Sequence, residues 1–408
     1  MNTARTDNLP IVALLSANAV SLVGNTLTAI AVPWFVLETT GSAARTGAVA
    51  FATLAPTALA SVFGGAIVDR VGNRRMSILA DLVSGLTVAA VPLLYRTVGL
   101  AFWQLLVLMF LGAALDSPGS AARQALQPDL SARAGWTLER ANGAAQAIQS
   151  GAALVGPLLA GVLIAFIGPS DVLLVDAATF VASALIVWRL VPADAPSRAR
   201  NAYCPEFLDG VRFLRRDRVI VGILALGGFA NFFTASLGSV VLPVFTRSVY
   251  DSSRVLGLLI SAVGGGELLG ALTFGAVGAR FRRLPSLFVA TVVLGLAVGA
   301  LATEPRLAAA MAVFGYAAGS LNPMITTVMQ ERVPAEYRAR VFGAISGIVL
   351  TAAPLGVLLA GFGLAAVGLR AVLLLIAAGM LGTAVIEAAW PAFRSLEESR
   401  PDGDRRSG

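Results

Sequence analysis

The sequence predicts an all-α membrane protein of twelve transmembrane helices in two pseudo-symmetric six-helix bundles. Three observations predict it. Of 408 residues, 57% are hydrophobic and 13% charged, about half the charge of a soluble globular protein, and the mean hydropathy is +0.80. Apolar stretches of about 20 residues, each enough to cross ~30 Å of hydrocarbon, recur along the whole chain. The chain also echoes itself at an offset of 200 residues. Together these exclude a soluble domain, a disordered chain and a disulfide scaffold.

In chain order the spans read 10–37, 46–68, 76–96, 101–122, 140–167 and 171–190, then 219–246, 255–278, 285–303, 306–329, 338–366 and 370–391. The first apolar run is too long for the core of a cleavable signal and lacks a small-residue cleavage site. Spans six and seven are separated by the longest polar stretch, which divides the chain into an N-terminal bundle (1–191), a cytoplasmic linker with a short amphipathic helix (192–218), a C-terminal bundle (219–393) and a polar cytoplasmic tail (394–408). The 42 glycines suit transmembrane helices that pack closely.

All 30 cations are arginine, against 23 acids, and the chain has no histidine and one cysteine, Cys204. That composition excludes a zinc or haem site, a Cys-His nucleophile and a disulfide framework, and no metal or cofactor is expected. With both termini placed in the cytoplasm, only Arg45, Arg96, Arg247, Arg254, Arg306 and Arg370 fall outside. So strong a bias follows the positive-inside rule. The pI of about 10.6 therefore reflects topology and lipid, and a nucleic-acid partner is not expected.

Over 141–161 against 341–361, ten of 21 positions are identical, and Leu158-Leu159-Ala160-Gly161 recurs as Leu358-Leu359-Ala360-Gly361. A looser echo pairs Gly65 to Arg75, after span two, with Gly275 to Arg283, after span eight. Two homologous six-span halves are a transporter architecture, with the solute site between them near the midplane.

The segment Gly65-Ala-Ile-Val-Asp69-Arg70-Val-Gly72-Asn-Arg74-Arg75 resembles the signature loop of the major facilitator superfamily between helices two and three. Gly151-Ala-Ala-Leu-Val-Gly156-Pro157-Leu-Leu-Ala-Gly161 resembles the pattern of its proton-driven exporters, with Ala152 and Ala160 in place of two glycines. Gln124-x-x-Gln127-Pro128, Phe207 to Arg215, and Val333-Pro334-x-x-Tyr337-Arg338-x-Arg340 look like the drug:proton antiporter branch that contains macrolide-efflux and siderophore-export proteins. The resemblance covers essentially the whole chain and implies the major facilitator fold. One departure is that no arginine sits in the middle of span four, and Arg123 is placed at its inner end. The resemblance also implies a gate in which Asp69 bonds near Arg338 and Arg340, with Arg70, Gly72, Arg74 and Arg75, and with Asp81 as a further member. These charges would otherwise serve only to fix topology. Gly151, Gly156, Pro157 and Gly161 carry either an exporter-specific role or plain close packing of span five.

Charge at membrane depth is costly and by default functional. Four acids fall inside spans: Asp116, Asp176, Glu267 and Glu387. Apolar surroundings disfavour the charged form of a carboxyl group, so such an acid can bind and release a proton in the working pH range or attract a cationic solute. Asp116 precedes Pro118 and Gly119, read as a helix break at the cavity, and Glu267 follows three glycines near the midplane. Asp176 and Glu387 are alternatively surface groups near the outer and inner faces. Deep polar and aromatic residues, Asn25, Gln146, Gln149, Asn231, Phe232 and Asn322, are expected to line the cavity.

The sequence reading is thus a secondary active transporter, not an enzyme, that exports amphipathic drugs or natural products by proton antiport with alternating access. It is expected as a multi-pass plasma-membrane monomer whose partners are the small-molecule solute, protons and the lipid bilayer. An exporter of a siderophore or other metabolite, or a lipid-flipping protein of the same fold, is the alternative.

Overall fold

The computed structural model describes residues 7–193, 218–304, 309–333 and 338–390. The expected amphipathic helix of the linker and the polar tail lie outside them. Every regular element among the described residues is helical. In the N-terminal half these are α1 (Leu9–Thr40), α2 (Ala43–Val71), α3 (Asn73–Thr97), α4 (Phe102–Ala134), α5 (Leu138–Ile167) and α6 (Pro169–Leu190). In the C-terminal half, α7 (Arg218–Ser236) runs through a π-helical turn (Leu237–Val241) into α8 (Leu242–Val249). Then follow α9 (Ser253–Val277), α10 (Arg283–Thr303), α11 (Ala310–Arg332), α12 (Arg338–Val367) and α13 (Leu369–Ala389). Among the described residues, ten helical stretches are long and apolar enough to cross a membrane. In hydrocarbon only closed hydrogen bonding within each segment is tolerated, which is why apolar runs become helices here.

Glycine marks the sharp links. Gly72, shared by the end of α2 and the start of α3, has φ 89° and ψ 145°, a conformation only glycine adopts without strain. Gly168 and Gly368 join α5 to α6 and α12 to α13, each with φ 82°. They stand 200 residues apart, so the repeat seen in the letters recurs in the backbone.

The chain packs as two units. One comprises Met1–Asn201 with Gly238–Ser261 and Val357–Ala365; the other comprises Ala202–Leu237, Ala262–Gly356 and Ala366–Gly408. In the first unit α1 packs against α5 and α6, while α3 lies between α4 and α6. Its apolar core joins α1 residues Ile11, Leu14 and Leu15 to Leu126 and Leu130 of α4 and Val187 of α6. In the second unit α10 packs against α11 and α13, and Val219, Ile220 and Ile223 of α7 meet Leu287, Met324 and Val328.

One boundary differs from the sequence reading in a way that matters for the site. Span four does not stop at 122: α4 continues through both Pro118 and Pro128 to Ala134. The expected break after Asp116 is therefore absent, since a membrane helix can pass a proline when neighbouring groups take up the freed carbonyl. Arg123 consequently lies well inside the helix, 5% exposed.

Candidate functional site

Three polar positions of α1, Ser21, Asn25 and Thr28, have a spacing that sets them on one helical face. Each meets a different acid. Ser21 Oγ donates to Asp81 Oδ1 of α3 at 3.4 Å, Asn25 Nδ2 donates to Asp116 Oδ1 of α4 at 3.3 Å, and Thr28 Oγ1 donates to Asp176 Oδ2 of α6. Thr179 Oγ1 donates to the other oxygen of Asp176 at 3.0 Å. Gly24, between Ser21 and Asn25, leaves the room: a Cβ there would overlap Asp176 and Thr179.

Asp81 carries a full ion pair. Arg123 Nη1 donates to its two oxygens at 3.2 and 3.3 Å, and Ser183 Oγ donates to Oδ2 at 2.7 Å. Asp81 and Asp176 are 1% and 0% exposed, whereas Asp116 is half-buried. The cluster thus sets three carboxylates against one guanidinium. With all three ionised, Asp176 would be a fully buried negative charge with no cation bonded to it among the described residues, at a cost of several kcal/mol, and half-buried Asp116 would be a second such charge at the cavity wall. A proton or a cationic ligand relieves that cost.

Asp116 faces a cavity of about 300 Å³ within the first unit, which also exposes Asn25, Thr28 and Ser84 against walls of Val32, Met109 and Phe180. Ser239 reaches it from the π-helical turn, an extra-residue turn of the kind often found at functional sites. The lining is mainly apolar with a few placed polar groups, the usual make-up of a small-molecule site.

The exporter-pattern glycines of α5 have specific neighbours. Gly156 lies against Thr26 of α1, and a Cβ on it would sit 2.7 Å from the threonine methyl. A Cβ on Gly161 would come within 2.5 Å of the Ser253 carbonyl oxygen and 3.1 Å of Gly257 Cα, both on α9. Ser253 Oγ donates to the Gly161 carbonyl at 3.0 Å. The repeat partner Gly361 of α12 meets Gly47 of α2, where a Cβ would lie 2.7 Å from the glycine Cα. Small residues therefore allow two backbone-to-backbone crossings, one for each half of the repeat. A Cβ on Gly151 would meet no atom within 4 Å.

Other predicted residues fall as follows. Asp69, Arg70 and Arg75 are exposed, and Arg74 Nη2 donates to the Trp188 carbonyl in the last turn of α6. The side chains of Arg338 and Arg340 lie outside the described residues. Asp81 is committed to Arg123, not to the Asp69 loop as expected. Gln146, Gln149 and Asn322 are exposed and line neither described cavity. Asn231 Nδ2 donates to the Val349 carbonyl of α12 at 2.9 Å, a structural bond. Phe232 packs edge-on against Phe233, with ring centres 5.2 Å apart. Glu267 is half-buried on α9, its backbone pressed on Gly319 of α11. Glu387 is 2% exposed and accepts a hydrogen bond from Thr291 Oγ1 at 3.0 Å.

Sequence reading missed Arg123 as a deep cation, and it missed Ser21, Thr28 and Gly24. For Arg123 the signal existed: the apolar residues beyond it, Leu126 and Leu130, continue a helical spacing past Pro128. Single hydroxyls on an apolar helix carry no comparable signature.

A multi-pass helical bundle that holds acids against an internal cavity is built as a membrane transporter. The profile of the Major Facilitator Superfamily matches residues 14–264 and 224–407. The chain is 33% identical over 398 residues to the multidrug efflux pump Tap of Mycolicibacterium fortuitum, covering 95% of this chain and 97% of that one. It is 28% identical to the enterobactin exporter EntS of Salmonella choleraesuis, covering 89% and 91% of the two chains. The nucleoside transporter NupG superimposes with a TM-score of 0.77 at 14% identity, over 93% of this chain and 98% of that one, a likeness of fold alone. The chain belongs to the Major Facilitator Superfamily and is a transporter, not an enzyme.

Proposed function

We propose that this protein exports amphipathic, partly cationic drugs or natural products across the plasma membrane in exchange for protons. The observation that carries the reading is the cluster of three acids and one arginine around the polar face of α1, opening through Asp116 onto a mainly apolar cavity. A solute with an apolar body and an amine fits such walls, its charge replacing a proton on Asp116. Proton and solute then compete for the same carboxylate, so each shifts the equilibrium between two orientations of the site in opposite directions. Asp176, tied to the same α1 face through Thr28, transmits its protonation to that helix. The 33% identity to a multidrug efflux pump supports the cargo class.

The arginine distribution supports both termini in the cytoplasm. On that orientation the crossings at Gly161 and Gly361 sit on the outer side, and Asp69 with its arginines forms the inner latch that the family resemblance implies. A second reading, export of a siderophore, rests on the 28% identity to the enterobactin exporter.

Efflux of a cationic dye from energised cells tests the proposal. The expected result is efflux that a protonophore abolishes and that Asp116→Asn lowers to background with expression unchanged. Efflux indifferent to the protonophore would contradict proton exchange, and lipid scrambling in vesicles without a gradient would favour a flippase.

A further inference from the structure

The second unit holds a buried carboxyl group that this transport scheme does not use. Glu387 on α13 lines a small cavity of about 60 Å³ with Met380 and Thr383 from its own face, Thr291 of α10, and Phe233 and Thr234 of α7. Glu387 Oε1 accepts from Thr291 Oγ1, while Oε2 has no hydrogen-bond partner. Thr383 gives its hydroxyl hydrogen to the Met380 carbonyl at 2.6 Å and so offers Oε2 no donor. No other charged side chain lines the cavity among the described residues. On the helices packed there, Arg283 of α10 and Glu331 of α11 pair with each other at 2.6 Å. Neither they nor Arg332 of α11 lines it, and Arg370 stands at the opposite end of α13.

A carboxylate so placed would be an isolated buried charge with one donor, a state proteins avoid by neutralising the group. The cavity exceeds the ~10–15 Å³ one water requires, while Oε2 itself is closed to a water-sized probe, so a small movement of the cavity wall has to open the path by which the proton comes and goes. We propose that Glu387 is a proton-binding site of the C-terminal bundle, loaded through this cavity and independent of the acids around α1. The inference goes beyond the transport reading, because a proton held here is detectable whether or not solute moves.

Infrared difference spectroscopy of the purified full-length protein across a pH series tests it. The protonated carboxyl C=O stretch should include a band that falls about tenfold per pH unit above its midpoint. That band should be missing in Glu387→Gln, persist when Asp116 and Asp176 are both changed to Asn, and shift to higher frequency in Thr291→Val, which removes the hydrogen bond on Oε1. Should Glu387→Gln fail to fold, the Thr291→Val shift alone decides. A Glu387→Gln spectrum that superimposes on the parent, or no shift in Thr291→Val, would overturn the proposal. Loss of the band in the double Asn variant would place the proton at the α1 cluster instead.

Discussion

Removing Arg123 perturbs the cluster at its one guanidinium among the described residues. The side chains of Arg123 and Asp81 are 6% and 1% exposed, so solvent screens little of their attraction. Unit charges at about 4 Å interact by about 4 kcal/mol at an effective dielectric of about 20. Truncation also leaves Asp81, among the described residues, with Ser21 and Ser183 as its donors, and an uncompensated buried charge costs about 3–5 kcal/mol. We expect Arg123→Ala to destabilise by that amount and Asp81→Asn by less, since an amide keeps neutral hydrogen bonds to Ser183. The double variant should recover part of the loss, with a coupling of about 1–3 kcal/mol. Denaturant unfolding of the four proteins in one detergent reads the cycle. Additive losses, or Arg123→Ala unfolding with the parent, would refute the ion pair as the organiser of the cluster.

Other predictions follow from single contacts. Gly72→Ala forces a positive φ of 89° on a residue with a Cβ and should cost about 1–3 kcal/mol, read by the same unfolding assay. Gly257→Leu drives a side chain into the Pro157 carbonyl and Gly161; efflux should fall to background while the protein still inserts, and parental efflux would show that the crossing does not matter. Asp69→Asn should abolish efflux with unchanged expression, because an exposed carboxylate carries little folding energy; wild-type efflux would remove it from the gate.

Much of this arrangement is legible in the letters, for physical reasons. Hydrocarbon forbids unpaired backbone, so apolar runs have to be helices, and the repeat at 200 residues reappears in Gly168 and Gly368 and in the crossings at Gly161 and Gly361. Asp116, Asp176 and Glu387 are visible because charge at depth is rare. Of their partners, Asn25 also stands out as a deep polar residue, and the hydroxyls do not. Ser21 and Thr28 read as minor interruptions of an apolar helix, and their role depends on which helix α1 packs against, a tertiary fact. Arg123 reads as an end residue because Pro118 and Gly119 read as a break, whereas the helix runs on to Ala134. Placing Gln146 and Asn322 in the cavity rests on polarity alone, which fixes neither helix rotation nor neighbours.

One measurement reaches the central claim without inference from growth or resistance. Purified protein in liposomes that trap a pH-sensitive dye is given an outward-directed cationic solute, and internal pH is followed with and without Asp116→Asn. The account predicts that solute movement drives protons the opposite way in the parent and that the variant moves none. Solute crossing with no pH change in the parent, or the same proton flux in the variant, would contradict it.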